Sequence, residues 1–251
     1  MLGQTVRRVS MLNIASKVRH IQFDASKVKV ITLDVTGTLL LHKQAVAQTY
    51  AECIEWAEIP APPPLSEVNK AFRDAYKHAL QMYPCFGHST NMPTRDWWKT
   101  MAADFLVRCH VTMTKTEFDR FFTRLYQHYG CQRGYEILPD ATDLLNWVRK
   151  LREDGKKRYY LGIITNTDCR TIDTVLPMLG LHDHFEFFVC CREIGVEKPD
   201  AGIYKEAYLR AQTRIPGIKR EEILHIGDNF TTDFCGARAA GFQAFFLGKN
   251  I

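Results

Sequence analysis

The sequence predicts an α/β fold: a parallel sheet with helices on both faces, carrying a helical insertion after its first strand. Three observations predict it. The β-branched run Val28-Lys-Val-Ile-Thr-Leu-Asp34 closes in a polar turn, Asp34-Val-Thr-Gly-Thr38, as a short buried strand does. The next hundred residues carry helical spacing and no strand pattern. After Gly134 strands and helices alternate, which requires parallel pairing with crossover helices on the sheet faces.

Each element has its own signal. Residues 44–56 fit a helix, and Pro60-Ala-Pro-Pro-Pro64 stops it, because proline offers no N–H and fixes φ. Val68, Ala71, Phe72, Ala75, Tyr76, Ala79 and Leu80 follow helical spacing. So do Trp97, Trp98, Met101, Ala102, Phe105 and Leu106, and then Phe118, Phe121, Phe122, Leu125, Tyr126 and Tyr129. Thr114-x-x-Glu117 is a capping box for the last of these helices. Four amphipathic helices in a row form a small bundle. Then come a helix over 141–151, a strand over 159–165, a helix over 169–179 closed by Gly180, and a strand over 187–190. A helix over 201–211, a strand over 223–226, a helix over 233–240 closed by Gly241 and a strand over 244–247 complete the series.

Charge narrows the function. The 251 residues carry a formal net charge of +5. Residues 1–30 hold six basic groups and one acidic group, so the remainder is balanced at 27 against 27. A neutral body with a basic arm does not present the clustered positive face that nucleic acid requires. No apolar run reaches the roughly 18–20 residues that span a bilayer. The arm, residues 1–27, is acid-free before Asp24 and contains Arg7, Arg8, Lys17 and Arg19. It reads as a mitochondrial targeting segment, as an untargeted extension, or as sequence upstream of a start at Met11. The expectation is an intracellular protein, cytoplasmic or mitochondrial. The eight scattered cysteines contain no C-x-x-C pair and read as reduced thiols. The chain stops at Ile251, just past its last strand, which leaves an exposed sheet edge as the expectation.

Open α/β sheets bind ligands at the carboxyl ends of their strands. There the sequence places Asp34, then Thr165-Asn166, then Glu197-Lys198-Pro199-Asp200, then Gly227-Asp228-Asn229 with Asp233. Asp34, Asp228 and Asp233 repel one another when brought together, and a hard cation such as Mg²⁺ resolves that repulsion with oxygen ligands. Asp34 can attack phosphorus to form an aspartyl-phosphate. Lys198 adds a fixed positive charge. The Thr165 hydroxyl and the backbone N–H groups after Asp34 can hold phosphoryl oxygens.

In these residues the sequence resembles the haloacid dehalogenase-like (HAD) hydrolase superfamily. The motifs are Asp34-Val-Thr-Gly-Thr-Leu39, Ile164-Thr165-Asn166, Glu197-Lys198-Pro199-Asp200 and Gly227-Asp228-Asn229-x-x-x-Asp233, within a resemblance covering roughly residues 28–248. Tyr83-Pro-x-Phe-Gly87 followed by Arg95-Asp-Trp-Trp98 resembles the rhythmically expressed branch of HAD-like hydrolase domain-containing proteins. The resemblance implies a Rossmann-like core, residues 28–41 and 135–251, with a helical C1 cap inserted at 42–134. It implies catalytic positions at Asp34, Thr36 and Lys198. Phosphate-binding positions are implied at Thr38, Thr165, Asn166 and Lys198. Metal positions are implied at Asp34, the Thr36 carbonyl, Asp228 and Asp233, with Mg²⁺ as cofactor and a small phosphorylated molecule as substrate.

One position departs from the family pattern. Its phosphatases carry a second Asp two residues after the nucleophile, which protonates the leaving group. Here Thr36 stands there, and general acid–base help contributes about 10²–10⁴-fold. Asp34-Val-Thr-Gly-Thr38 is also similar to the phosphorylation motif of P-type ion pumps, whose aspartyl-phosphate is relatively long-lived. Dehalogenases of the family also lack the second Asp but dispense with the metal, so Asp228 and Asp233 favour phosphoryl chemistry. The expectation is a weak or specialised Mg²⁺-dependent phosphatase. The alternative is a catalytically impaired HAD-fold binding or regulatory protein. Trp97-Trp98 reads either as core packing or as a stacking surface for a substrate ring. The loop Tyr83–Asn91, with His88, Ser89 and Asn91, is a candidate for substrate selection.

Overall fold

A computed structural model describes residues 23–60, 62–155 and 159–248. The arm's residues 1–22, the basic run Lys156-Lys-Arg158 and the last three residues lie outside the described residues. Five parallel strands form the sheet: β1 (Val30–Leu33), β4 (Tyr160–Thr165), β5 (Phe187–Cys190), β6 (Ile223–Gly227) and β7 (Gln243–Phe246). Their spatial order is β5-β4-β1-β6-β7. The order reverses at β1, which is where such sheets open a crevice for ligands. Every residue of β1 is buried, as the middle strand of a parallel sheet must be.

Side-chain alternation along β1 divides the interior. Val30 joins one apolar cluster with Ile164, Val189, Ile203 and Tyr204. Ile31 and Leu33 join the other with Leu145, Leu161, Val175 and Leu224. Helices cover both faces: α5 (Pro139–Glu153) packs in the second cluster and α6 (Ala201–Arg214) in the first. Among the described residues no helix is long and apolar enough to cross a membrane.

Two short strands missed by periodicity, β2 (Leu40–His42) and β3 (Tyr135–Ile137), pair antiparallel, with Leu40 opposite Ile137 and His42 opposite Tyr135. Between them run α1 (Val46–Trp56), α2 (Leu65–Met82), α3 (Thr94–Arg108) and α4 (Lys115–His128). The ribbon therefore holds the two ends of the helical segment together. The helices pack through a pile of rings: Tyr50 lies 4.8 Å from Phe105 edge-on, and Phe105 lies 6.2 Å from Phe121. This interior is continuous with the cluster on one sheet face, since Trp97, Met101 and Phe105 belong with Ile164 and Ile203. α4 begins as its capping box requires. Thr114 Oγ1 accepts from the Glu117 N–H, and the Glu117 carboxylate accepts from the Thr114 N–H.

Two expected helices differ from plain α-helix. The segment after β4 is a π turn, Thr171–Val175, followed by Leu176–Met178, where Pro177 has no N–H to donate. The segment after β6 is a π turn, Phe230–Cys235, followed by Gly236–Ala239. Here the Asp233 carboxylate turns back to accept from the Asn229 N–H at 2.9 Å. Gly180 and Gly241 close these segments at φ +71° and +85°.

Candidate active site

Strand register assembles the rim. Leu33 lies opposite Ile163 on one side and Ile226 on the other, so the ends of β1, β4 and β6 stop nearly level. Asp34 follows β1 directly, and its N–H donates to the Ile226 carbonyl at 3.0 Å. Thr165 ends β4, and Asp228 follows β6. The carboxylates of Asp34, Asp228 and Asp233 come within 4.8 Å of one another. Two glycines make room for them. A Cβ at Gly37, which sits at φ +89°, would collide with the Asp228 carboxylate, and a Cβ at Gly227 would collide with that of Asp233.

Lys198 ties the rim together from below. Its Nζ donates to Asp34 Oδ1 at 2.8 Å, to Asp233 Oδ1 at 2.6 Å and to the Ile164 carbonyl at 2.8 Å. All three ammonium donors are thereby used in a site where the lysine is only 3% exposed. Burial opposes its charge, but the Asp34 and Asp233 carboxylates outweigh burial and hold its pKa above the ordinary lysine value. Burial also pushes the Asp233 carboxyl up, but the hydrogen bond from His225 and the Lys198 charge pull it below the ordinary range. Asp228 has no such cation in contact. Burial, reinforced by Asp34 and Asp233, raises its pKa.

Thr165 is 1% exposed and its hydroxyl has no partner within the protein. An unmet buried hydroxyl costs about 1–3 kcal/mol, so one beside the rim points to a ligand oxygen. The Thr38 hydroxyl is also buried and unpartnered, but Thr38 does not line the cavity. Asn166 lines the cavity, and its amide bonds the Lys198 backbone. Oδ1 accepts from the Lys198 N–H at 2.7 Å and Nδ2 donates to the Lys198 carbonyl at 2.9 Å. Asn166 thus positions Lys198. Thr36 is exposed on the cavity wall. His225 escaped the sequence reading. It sits fully buried in β6, with Nδ1 3.0 Å from Thr32 Oγ1 and Nε2 3.3 Å from Asp233 Oδ1. Its signal was a lone polar residue in Ile223-Leu-His-Ile226.

The rim opens into a cavity of about 520 Å³ whose other wall comes from the helices and the β2–β3 ribbon. The tryptophan pair divides its work. Trp97 is fully buried, with Nε1 donating to the Tyr83 carbonyl, whereas Trp98 lines the cavity and donates from Nε1 to Asp168 Oδ2 at 2.5 Å. Burial raises the Asp168 pKa against that bond. From the loop Tyr83–Asn91 the residue that reaches the cavity is Phe86. His88, Ser89 and Asn91 are exposed, and His88 Nδ1 instead donates to the Arg192 carbonyl at 2.9 Å. Arg170, inside the expected helix over 169–179, and Asp168, just before it, also line the cavity.

Known proteins resemble the chain in sequence and in fold. The chain is 28% identical to Haloacid dehalogenase-like hydrolase domain-containing protein 3 of Danio rerio over 223 residues, 89% of this chain and 86% of that one. It is 29% identical to the Rhythmically expressed gene 2 protein of Drosophila melanogaster over 227 residues, 90% and 85% of the two chains. The fold matches a 2-haloacid dehalogenase from Pseudomonas syringae with TM-score 0.57 at 24% identity, covering 87% and 86% of the chains. It matches the HAD-hydrolase YfnB from Bacillus subtilis, solved bound to magnesium, with TM-score 0.59 at 18% identity and 88% coverage of each. The family of haloacid dehalogenase-like hydrolases matches residues 28–241, from the first strand through the π turn that carries Asp233. With its motifs gathered on one rim and nearly the whole described body inside that match, the chain belongs to the haloacid dehalogenase-like hydrolases.

Proposed function

We propose that the protein is a Mg²⁺-dependent phosphatase of small phosphorylated molecules, working through an aspartyl-phosphate on Asp34. The observation that carries the reading is the contact of Lys198 Nζ with Asp34 Oδ1 at 2.8 Å, beside two further carboxylates. A carboxylate aimed by a buried lysine is a competent nucleophile. The donor set fits a hard cation: three carboxylates within 4.8 Å, with only Asp34 and Asp233 shared by a lysine. Asp34, Asp228 and Asp233, with the Thr36 carbonyl, would hold Mg²⁺, which when bound supplies charge that neutralises the phosphoryl oxygens. Residues 42–134 serve in this reading as a cap over a core of 28–41 and 135–251.

The chain's own groups divide the reaction. Asp34 attacks phosphorus, and the bond to the leaving oxygen breaks. Lys198 holds Asp34 Oδ1 by a hydrogen bond and fixes its direction. The free Thr165 hydroxyl donates to a phosphoryl oxygen. Asn166 fixes Lys198 from the side, and Thr38 supports the turn. Water then attacks the phosphorus of phospho-Asp34 and releases phosphate. Thr36 can neither protonate the leaving group nor activate that water at neutral pH.

The test is hydrolysis of p-nitrophenyl phosphate with and without Mg²⁺, beside Asp34→Asn. Turnover that needs Mg²⁺ and vanishes in Asp34→Asn is expected, and turnover indifferent to the substitution overturns the reading. Thr36 favours a second reading, in which the pocket binds a phosphorylated ligand without turning it over. Mg²⁺-dependent binding of beryllofluoride with no hydrolysis of any ester selects that one.

A further inference from the structure

Two unrelated features of the cavity restrict what can leave from phosphorus. The first is chemical and sits on the rim. With Thr36 in the acid's place, the leaving oxygen must depart as an anion. A phenol's acidity resembles that of the tyrosine side chain, about 10, whereas an alkanol's is nearer that of water, about 15.7. Without a proton donor, the phenolate departs far more readily.

The second feature is the opposite wall. It is built from rings: Tyr76, Phe86, Trp98, Phe122, Tyr126 and Tyr135 all line the cavity. They contact one another in loose pairs, with Tyr76 and Phe86 each 6.0 Å from Trp98 and Phe122 5.4 Å from Tyr126. Some of the polar groups here are tied within the wall, while His42 Nδ1, Thr167 Oγ1 and the Tyr129 hydroxyl line the same cavity without a hydrogen-bond partner. Arg170 lies face-on over Tyr126 at 3.6 Å and donates to the Tyr126 carbonyl. Asp168 accepts from Trp98 and from the Thr171 N–H. The Tyr135 hydroxyl donates to the Tyr129 carbonyl. A flat ring gains stacked and edge contacts against these six rings. A cavity of about 520 Å³ leaves room for a fused or substituted ring beside the phosphoryl group.

We propose that the substrates are phosphate monoesters of aromatic alcohols, with the ring seated against the helical wall and the phosphoryl group on the rim; this rests on the phosphatase reading above. In the reaction Asp34 forms a bond to phosphorus and the aryl oxygen leaves with the bonding electron pair. The phenolate takes its proton from solvent. Water then cleaves the aspartyl-phosphate, so that ester and water become phenol and phosphate.

The experiment compares three esters on the full chain with Mg²⁺. Phenyl phosphate has a ring and an acidic leaving group. Cyclohexyl phosphate has a ring-sized alkanol. Acetyl phosphate has a good leaving group and no ring. The expected kcat/KM for phenyl phosphate exceeds that for cyclohexyl phosphate by about 10²-fold or more, and Thr36→Asp narrows that ratio by raising the cyclohexyl rate. Tyr76→Leu and Phe122→Leu each raise KM for phenyl phosphate about 3–10-fold and leave that for acetyl phosphate unchanged. Should either variant fail to fold, the three esters on the unaltered chain decide. Equal rates for the phenyl and cyclohexyl esters overturn the proposal. Asp34-dependent hydrolysis of acetyl phosphate with no preference for phenyl over cyclohexyl phosphate overturns it too, an outcome that leaves the phosphatase reading intact. Hydrolysis of none of the three sinks both.

Discussion

The two walls of the cavity are held together by opposite physics. The rim is a compact set of charges, with Lys198 bonded to two carboxylates and a carbonyl, and Asp233 bonded in turn to His225 and the Asn229 N–H. The helical wall is a mesh of rings on an apolar core, with Asp168 tied to Trp98 and Arg170 to Tyr126. Removing one member of the rim leaves a buried charge uncompensated, while removing one ring leaves a void. The rim therefore concentrates its stability and its chemistry in the same residues, whereas the helices separate them: Phe105 supports the bundle and Trp98 faces the cavity.

The sharpest way to break that contrast is Lys198→Met. It should cost about 3–5 kcal/mol of stability, because Asp34 and Asp233 lose their buried partner. It should also lower kcat by about 10²–10³-fold, as loss of a charged stabilising group does. Urea unfolding and p-nitrophenyl phosphate turnover read the two effects. Phe105→Ala on the other side should cost a similar 3–5 kcal/mol through cavity formation, with kcat retained while the chain stays folded. A large loss of kcat in the folded variant would erase the distinction.

Acid should act on the rim first. The folded pKa of Asp233 lies below its unfolded value of about 3.9. The stability it contributes is thus complete above that value and is lost as pH falls through the folded pKa. In EDTA, the unaltered chain should lose stability below about pH 4 more steeply than Asp233→Asn does. Equal slopes would show that the Lys198 and His225 contacts do not hold the carboxylate ionised. The smallest effect belongs to the helices' periphery: Thr114→Ala removes the cap of α4 and should cost about 1 kcal/mol, seen as a lower thermal midpoint with unchanged turnover.

The rim was readable in the amino-acid sequence because its residues are polar groups at the ends of apolar strands, where a core offers them no other use. Asp34, Thr165, Lys198, Asp228 and Asp233 meet there. The same logic missed His225, which lies inside a strand rather than past its end. It placed Asn166 at phosphate and did not foresee that its amide bonds the Lys198 backbone. The wall was harder to read. Helical spacing locates a buried face but does not say which neighbour at its border meets a cavity, and Trp97 and Trp98 lie on opposite sides of that border. Strands of three residues, such as β2 and β3, are too short to show alternation. Asp168 and Arg170 gave no sign of facing the cavity because their partners, Trp98 and Tyr126, are distant in sequence.

The most direct test of the central reading is to trap the reaction covalently. The chain is mixed with Mg²⁺ and p-nitrophenyl phosphate, quenched in acid within one turnover, digested and examined by mass spectrometry. The account predicts a phosphoryl group on the peptide that contains Asp34, and none in Asp34→Asn. Hydrolysis that proceeds in the unaltered chain with no phosphoryl group on that peptide at any quench time would contradict it.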